Sequence, residues 1–355
     1  MVSDENIATY PNIVRSRAPL RIGLAGGGSD IAPYQRVFGG YVINATIDMY
    51  AYCVIRKLTD NNLVFSANDL GEEERLELDA CLSYRKSDSL ALIKSVYSKV
   101  ISEYNNNVRV PIHLTTHCDV LPGSGLGSSS TIVVSVIKAL STYLGIQIST
   151  KEMAELAYQI ERVDCSLPGG MQDQYSASYG GLNEMTFYEN GTVSVDGLEI
   201  PQTILDELET SLILFYTGTS RESGHIISDQ VSGFESGSDV VLNGIHGIKE
   251  EAKKMRRHLL DGNLKGISDS LNAGWRNKKL TAKTITNNHI DRMMSVALES
   301  GALGGKISGA GGGGFLLLLV DAAQRPTVID KMRNLGGDIR NCHFTFRGAH
   351  SWIAQ

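Results

Sequence analysis

Pro122-Gly-Ser-Gly-Leu-Gly-Ser-Ser-Ser130 is the stretch on which the reading of this chain turns. Upstream, residues 108–115 alternate apolar and polar side chains, the period of a strand with one buried face. Downstream, Ile132, Val133, Val136, Ile137, Leu140, Tyr143 and Leu144 recur at helical spacing until Gly145, which suits the left-handed position after a helix. A strand, a glycine turn and a helix in that order aim the unpaired N–H groups of the helix start, carrying roughly half a positive charge, at whatever enters the turn. Glycines at 123, 125 and 127 let a polyphosphate approach the backbone closely. Two commoner phosphate loops fail on spacing. The nearest approach to G-x-x-x-x-G-K-[ST], Gly301 to Lys306, has Ile307 where a hydroxyl residue is required. A G-x-G-x-x-G turn starting at Gly125 needs a glycine at 130, where Ser130 stands.

Outward from this loop, residues 20–24, 41–47 and 50–55 read as strands, residues 87–104 as a helix and residues 128–144 as a buried helix. Ser149-x-x-Glu152 has the form of a capping box opening a helix over 149–164. A second unit beginning near 195–210 shows a strand at 212–216 and helical periods near 240–261, 263–279 and 287–300. Strands at 315–320 and 343–347 enclose a helix near 325–335, a pattern suited to a small α+β layer.

Two further glycine segments bracket the first: Arg17-Ala-Pro-Leu-Arg-Ile-Gly-Leu-Ala-Gly-Gly-Gly-Ser-Asp30 and Lys306-Ile-Ser-Gly-Ala-Gly-Gly-Gly-Gly314. Between them lie two acids of note. Glu161 sits at the edge of an apolar helix face, where a carboxylate can look into a cleft or simply meet water. Asp173 follows a Pro-Gly-Gly turn in Gly169-Gly-Met-Gln-Asp-Gln174.

In order, the three glycine segments resemble the signatures of the GHMP kinase superfamily, which covers galactokinases, homoserine kinases, mevalonate kinases and phosphomevalonate kinases. The resemblance spans nearly the whole chain. It implies a two-domain α+β GHMP kinase fold. Residues 1–200 would form an N-terminal α/β domain resembling ribosomal protein S5 domain 2, and residues 201–355 a ferredoxin-like C-terminal domain.

The same resemblance implies roles. Pro122, Gly123, Ser124, Gly125, Leu126, Gly127, Ser128, Ser129 and Ser130 would cradle ATP, with Ser129 and Glu161 on Mg²⁺. Asp173 would orient the acceptor hydroxyl or take its proton, although Gln172 is inserted between Met171 and Asp173 relative to galactokinases. Arg21, in Ala-Pro-Leu-Arg where galactokinases have Ala-Pro-Gly-Arg, would hold Asp173 ionised and stabilise developing charge. A structural Arg–Asp pair is the alternative.

Galactokinases continue the first segment with Gly-Glu-His-x-Asp, whose acids hold sugar hydroxyls. Here only Asp30 remains, which argues for a different polyol. Arg-x-Pro-Leu-Arg, the Ala-Gly-Gly-Gly-Ser-Asp run, Gln172-Asp-Gln-Tyr and Trp275-Arg-x-Lys-Lys279 are similar to the D-glycero-D-manno-heptose 7-phosphate kinases, with fucokinases nearby. That implies phosphorylation of the anomeric hydroxyl in GDP-heptose synthesis for surface polysaccharide. A kinase for a free sugar such as fucose, or a galactokinase-like sensor without turnover, is the alternative. Substrate contacts are expected from Gly27, Gly28, Ser29, Asp30, Ser308, Gly309 and Gly311. The substrate's phosphate calls for a cation, for which Arg221 and the cluster Arg276, Lys278 and Lys279 are available.

Bulk properties agree with a small-molecule enzyme. A chain of 355 residues, 42% hydrophobic, suffices for two ordinary domains. A net charge of −6 without a basic run argues against nucleic acid as a partner. Five scattered cysteines without a C-x-x-C pair, a polar N-terminus and no long apolar run lead to the expectation of a cytoplasmic protein with reduced thiols and no membrane partner. A homodimer is compatible with all of this.

Overall fold

The computed structural model describes residues 10–82, 88–219 and 223–355. Strand β1 (Ile13–Ala25) leads through the first glycine segment and a short helix α1 (Tyr34–Phe38) to β2 (Gly40–Lys57). Next come β3 (Asn62–Ala67), β4 (Glu72–Glu77), helix α2 (Ala91–Tyr104) and β5 (Ile112–Cys118). Helices α3 (Ser128–Leu144), α4 (Thr150–Tyr158) and α5 (Gln172–Tyr179) precede β6 (Leu182–Phe187) and β7 (Val193–Gly197). Helix α6 (Gln202–Ser211) and β8 (Leu212–Tyr216) open the second half, followed by helices α7 (Ser223–Glu235), α8 (Asp239–Leu260), α9 (Leu264–Lys279) and α10 (Asn288–Glu299). The chain closes with β9 (Ala302–Ile307), β10 (Phe315–Val320), α11 (Arg325–Arg333), β11 (Asp338–Asn341) and β12 (His350–Ile353).

The strands form two sheets. The first runs β12-β1-β2-β5-β3-β4, with β6 and β7 continuing from β2; the second runs β11-β8-β10-β9. The stretches expected as separate strands at 41–47 and 50–55 are one 18-residue strand, β2. Its first half is covered by β6 and its second by β5, so no turn is needed between them. The last strand departs from the expected 201–355 unit, because β12 pairs with β1 (Val14 opposite Ile353) and ties the end of the chain to the first sheet. The strand expected at 343–347 reduces to an isolated bridge between Ile47 and Phe344.

Apolar burial makes these layers one body. One cluster joins the first sheet to α2, α3 and α4 through Phe65, Tyr97, Val133, Ile137 and Met153. A second cluster joins the two sheets through helices α8 and α9: Leu20, Ile22, Ile43 and Ile47 share it with Met255 and Leu271 of those helices and with Leu214, Leu317 and Leu319 of the second sheet. The seam between the halves is thus a shared core, and a cleft opens along its edge. Ser149 and Glu152 complete the expected capping box. Among the described residues no cysteine is paired, and no helix is long and apolar enough to cross a membrane.

Candidate active site

Helix α3 begins on the second glycine segment. Gly123, Gly125 and Gly127 adopt φ of 77°, 80° and 80°, the left-handed region that disfavours other residues. Gly127 caps the helix with no side-chain acceptor, and no acid stands in the first turn. The first helical bond runs from the Thr131 N–H to the Gly127 carbonyl (3.0 Å). The N–H groups of Ser128, Ser129 and Ser130 therefore lack intrahelical acceptors and point their partial positive charge into the cleft. Ser129 is exposed there, Ser128 and Ser130 are buried along the same wall, and Pro122 and Gly123 edge it. Ser124 and Leu126 are wholly buried beneath the loop rather than facing the cleft.

The third glycine segment packs backbone to backbone on the second. The Phe315 N–H donates to the Ser124 carbonyl (2.9 Å), and Ser308 Oγ donates to the Gly125 carbonyl (3.0 Å). A Cβ at Gly125 would stand 2.4 Å from the Ser308 carbonyl oxygen. Gly309 borders the cleft, whereas Gly311 turns toward the Ile285 backbone and Ser308 is buried. This segment buttresses the phosphate loop more than it lines the cavity.

Arg21 and Asp173 meet beside that loop. Arg21 lies on β1 where its register with β2 slips between Pro19 and Arg21, a bulge that re-aims a side chain. Its Nε donates to Asp173 Oδ1 at 2.8 Å, its Nη2 lies 2.6 Å from the same oxygen, and its Nη1 donates to the Gly125 carbonyl at 2.6 Å. Asp173, in the first turn of α5, puts its carboxyl carbon 3.3 Å from where a Cβ of Gly127 would be. Oδ2 has no hydrogen bond among the described residues and stays on the cleft side, with the side chain 21% exposed.

Glu161 is fully buried yet borders the cleft. It sits on a π-helical turn, Gln159–Asp164, that extends α4. Widening the helix there buries Ile160 and Glu161 together, which the even period assumed over 149–164 did not anticipate. Glu161 Oε2 accepts from Gln174 Nε2, which also donates to Ser130 Oγ (3.1 Å). Among the described residues Oε1 has no hydrogen-bond donor, and Arg162 Nη1 is 3.7 Å away. A buried carboxylate oxygen without a donor fits a metal ion. Among the described residues no group of three His, Cys, Asp or Glu could hold one.

Asp30 lies in the cleft wall, but its carboxylate is taken up by the protein. Oδ1 accepts from the Gly28 N–H (3.0 Å), Oδ2 from the Met171 and Gln172 N–H groups (3.1 and 3.2 Å), and Gln172 Nε2 approaches both oxygens (3.2 and 3.3 Å). It clamps the first glycine segment to the start of α5, and the inserted Gln172 is part of the clamp. Gly27 and Gly28 line the cleft, while Ser29 is buried, its hydroxyl donating to the Gly26 carbonyl at 2.8 Å.

Of the cations, Arg276 and Lys279 are exposed on α9, and Lys279 faces Asp291 at 3.6 Å. Lys278 alone of that cluster turns inward, donating to the Gly27 carbonyl at 3.1 Å. Arg221 lies outside the described residues. Sequence reading overlooked Lys306, whose Nζ donates to the Gly23 carbonyl at 2.8 Å. Burial pulls the Lys278 ammonium down from 10.5 to about 8, with Asp30 acting the other way. Loss of water, then the charges of Lys278 and Arg21, pulls Lys306 down to about 7. Arg162, whose Nε donates to the Gly170 carbonyl (3.2 Å), was likewise overlooked, as was Gln174. The whole cleft encloses about 880 Å³, room for a nucleotide and a second small molecule.

The model of the GHMP kinases N terminal domain matches residues 91–181, and that of the GHMP kinases C terminal matches residues 252–338. A D-glycero-alpha-D-manno-heptose 7-phosphate kinase of Campylobacter jejuni is 37% identical over 96% of this chain and 98% of its own length. The solved D-glycero-D-manno-heptose 1-phosphate kinase of Bacteroides thetaiotaomicron superposes with a TM-score of 0.81 at 35% identity, covering 96% of this chain and 99% of that one. A bifunctional fucokinase/GDP-fucose pyrophosphorylase of Arabidopsis thaliana is 26% identical over 91% of this chain and 31% of its own length.

Proposed function

The chain belongs to the GHMP kinases, and on that footing we propose that it moves the γ-phosphoryl group of ATP onto the anomeric hydroxyl of D-glycero-D-manno-heptose 7-phosphate. The observation that carries the chemistry is the Arg21–Asp173 pair set against Gly127, with Asp173 Oδ2 left open beside the unpaired N–H groups of α3.

Phosphoryl transfer passes through a loose transition state, so positioning and charge neutralisation do most of the work. The N–H groups of residues 128–130 receive phosphate oxygens. Glu161 and Ser129 would hold Mg²⁺, which offsets phosphate charge when bound. Arg21 fixes Asp173 through Oδ1, so that Oδ2 can accept the hydroxyl proton or orient it. The same guanidinium lies against the Gly125 carbonyl and counters charge that builds beside the loop. The 122–127 backbone and the 308–314 segment keep the loop from yielding when the phosphates arrive.

The choice of acceptor is supported by the relative named for heptose 7-phosphate, 37% identical over 96% of this chain; the solved relative named for a heptose 1-phosphate, whose anomeric oxygen is already esterified, supports a heptose phosphate and no more. The fucokinase is more distant, so a free-sugar kinase is the weaker reading. A sensor without turnover would not need the ordered Arg21–Asp173 pair. The test is ATP-dependent phosphorylation of heptose 7-phosphate, free heptose, mannose, fucose and galactose by wild type and Asp173→Asn. Turnover of heptose 7-phosphate, lost in the variant, is expected. Preference for a free sugar would overturn the acceptor assignment, and turnover unaffected by the substitution would overturn the role of Asp173.

A further inference from the structure

Lys278 is a buried cation that the phosphate-loop chemistry leaves without a task. It stands in the last turn of α9 and reaches across the seam to the first glycine segment, where a Cβ on Gly28 would meet its Nζ at 2.9 Å. The residue is 6% exposed and lines the cleft. An ammonium carries three donors, and among the described residues only the one to the Gly27 carbonyl is used. Among the described residues no carboxylate lies at ion-pair distance, and Asp30, the nearest acid to act on it, already receives its donors from Gly28, Met171 and Gln172. A buried ammonium left in this state is costly unless an anion completes it.

The position along the cleft tells which anion. Gly127 touches Asp173; Gln172, the next residue back, holds Asp30; Asp30 holds Gly28; and Gly28 touches Lys278. Along this run of contacts Asp173 comes between the loop and Lys278, and an acceptor sugar whose hydroxyl meets Asp173 can extend along the same wall toward Lys278. A second, independent feature lines the same cleft. Gln230, 4% exposed, borders it and, with Gly28, also lines a smaller adjoining pocket; among the described residues its buried Oε1 has no hydrogen-bond donor. Its amide nitrogen is held by Thr281 Oγ1, whose own hydrogen goes to the Lys278 carbonyl. A fixed amide oxygen and an unneutralised ammonium lining one cleft, joined through Thr281, suit a molecule offering hydroxyls at one point and an anion at another.

We propose that Lys278 binds the phosphomonoester already present on the acceptor sugar, with Gln230 Oε1 accepting from a neighbouring sugar hydroxyl, so that this corner selects a sugar phosphate over the free sugar. The assignment rests on the kinase reading above and adds the group that recognises the second phosphate.

The experiment compares kcat/KM for heptose 7-phosphate and for free heptose in wild type, Lys278→Met and Lys278→Arg, with KM for ATP measured alongside. Losing a charge-assisted contact should cut the preference for the phosphorylated sugar about 10- to 100-fold in Lys278→Met, chiefly through KM. Lys278→Arg should recover part of it, and KM for ATP should move less than about twofold. A preference unchanged in Lys278→Met while wild type uses heptose 7-phosphate overturns this assignment and leaves the kinase reading standing. A rise confined to KM for ATP does the same, by giving Lys278 to the nucleotide. Wild type acting on free sugars alone fails in its own arm, before any variant is compared, and takes both readings with it. Because Lys278 is buried, a measurement on wild type accompanies the variants. In the absence of nucleotide, heptose 7-phosphate should raise the melting temperature where free heptose at equal concentration does not, and equal shifts would overturn the assignment.

Discussion

The two ends of the cleft are built from different materials. The end we assign to the nucleotide is backbone: three left-handed glycines, the open N–H groups of α3, and a second glycine segment pressed against the first by bonds such as Phe315 N–H to the Ser124 carbonyl. The end we assign to the acceptor is side chain: Asp30 clamping Met171 and Gln172, Gln230 with an open amide oxygen, and Lys278 arriving from α9. A backbone site tolerates almost no substitution at its glycines but asks nothing of its serines beyond size and a hydroxyl. A side-chain site can be re-aimed by one replacement, which is how one fold serves several acceptors. Arg21 and Asp173 sit at the junction and belong to both, since Arg21 binds a carbonyl of the loop and the acid that faces the acceptor.

That contrast can be broken in several ways. The largest effect belongs to the junction. Asp173→Asn keeps the shape but removes the proton acceptor, and kcat should fall about 10²- to 10⁴-fold in steady-state assays with both KM values little changed. Next is the backbone end. Gly125→Ala forces a side chain into a φ of 80° and 2.4 Å from the Ser308 carbonyl oxygen. The left-handed conformation alone costs about 1–2 kcal/mol. The displaced loop should weaken kcat/KM for ATP about 100-fold, with a lower melting temperature and a smaller effect on the sugar. If ATP and sugar suffer alike, the division of the cleft into two ends is wrong.

Glu161→Gln should raise half-saturating Mg²⁺ about 10-fold or more while KM for the sugar holds, as read from magnesium titrations at fixed ATP. The smallest effect concerns Lys306, whose folded pKa lies near 7 against an ordinary 10.5. Below pH 7 both folded and unfolded states carry the proton, and wild type bears the full cost of a charge buried away from water and set beside Lys278 and Arg21. Between about 7 and 10.5 the unfolded chain binds the proton and the folded one does not, so wild-type stability gains as pH rises. Lys306→Met should therefore out-melt wild type at pH 6, and the gap should narrow toward pH 10; a gap independent of pH would contradict it.

Legibility in the sequence follows the same line. Helix α3 and its Gly145 stop, the Ser149 capping box and strands β8 and β10 were readable because each rests on local spacing. The 18-residue length of β2 was not, since only its neighbours β5 and β6 remove the need for a turn. Strand β12 was missed because its partner lies on β1, more than three hundred residues earlier. In the site, Asp173 and Arg21 were found through segments of recognisable pattern, and the structure brings them within 2.6 Å. Arg162, Gln174 and Lys306 carry no local signal, being ordinary polar residues until a neighbour from another element gives them a task.

The sequence by itself determined the phosphate loop, because a backbone that must reach left-handed φ can be written only in glycines, and their spacing is a covalent fact. It also determined the family, through three such segments in order. Only the tertiary structure decided that Asp30 is a clamp, that Glu161 turns inward on a π-helical turn, and that Lys278, not Arg276 or Lys279, enters the cleft. Those outcomes depend on burial and on which donors are already taken, and both are set by residues that meet only when the two sheets close on their shared core.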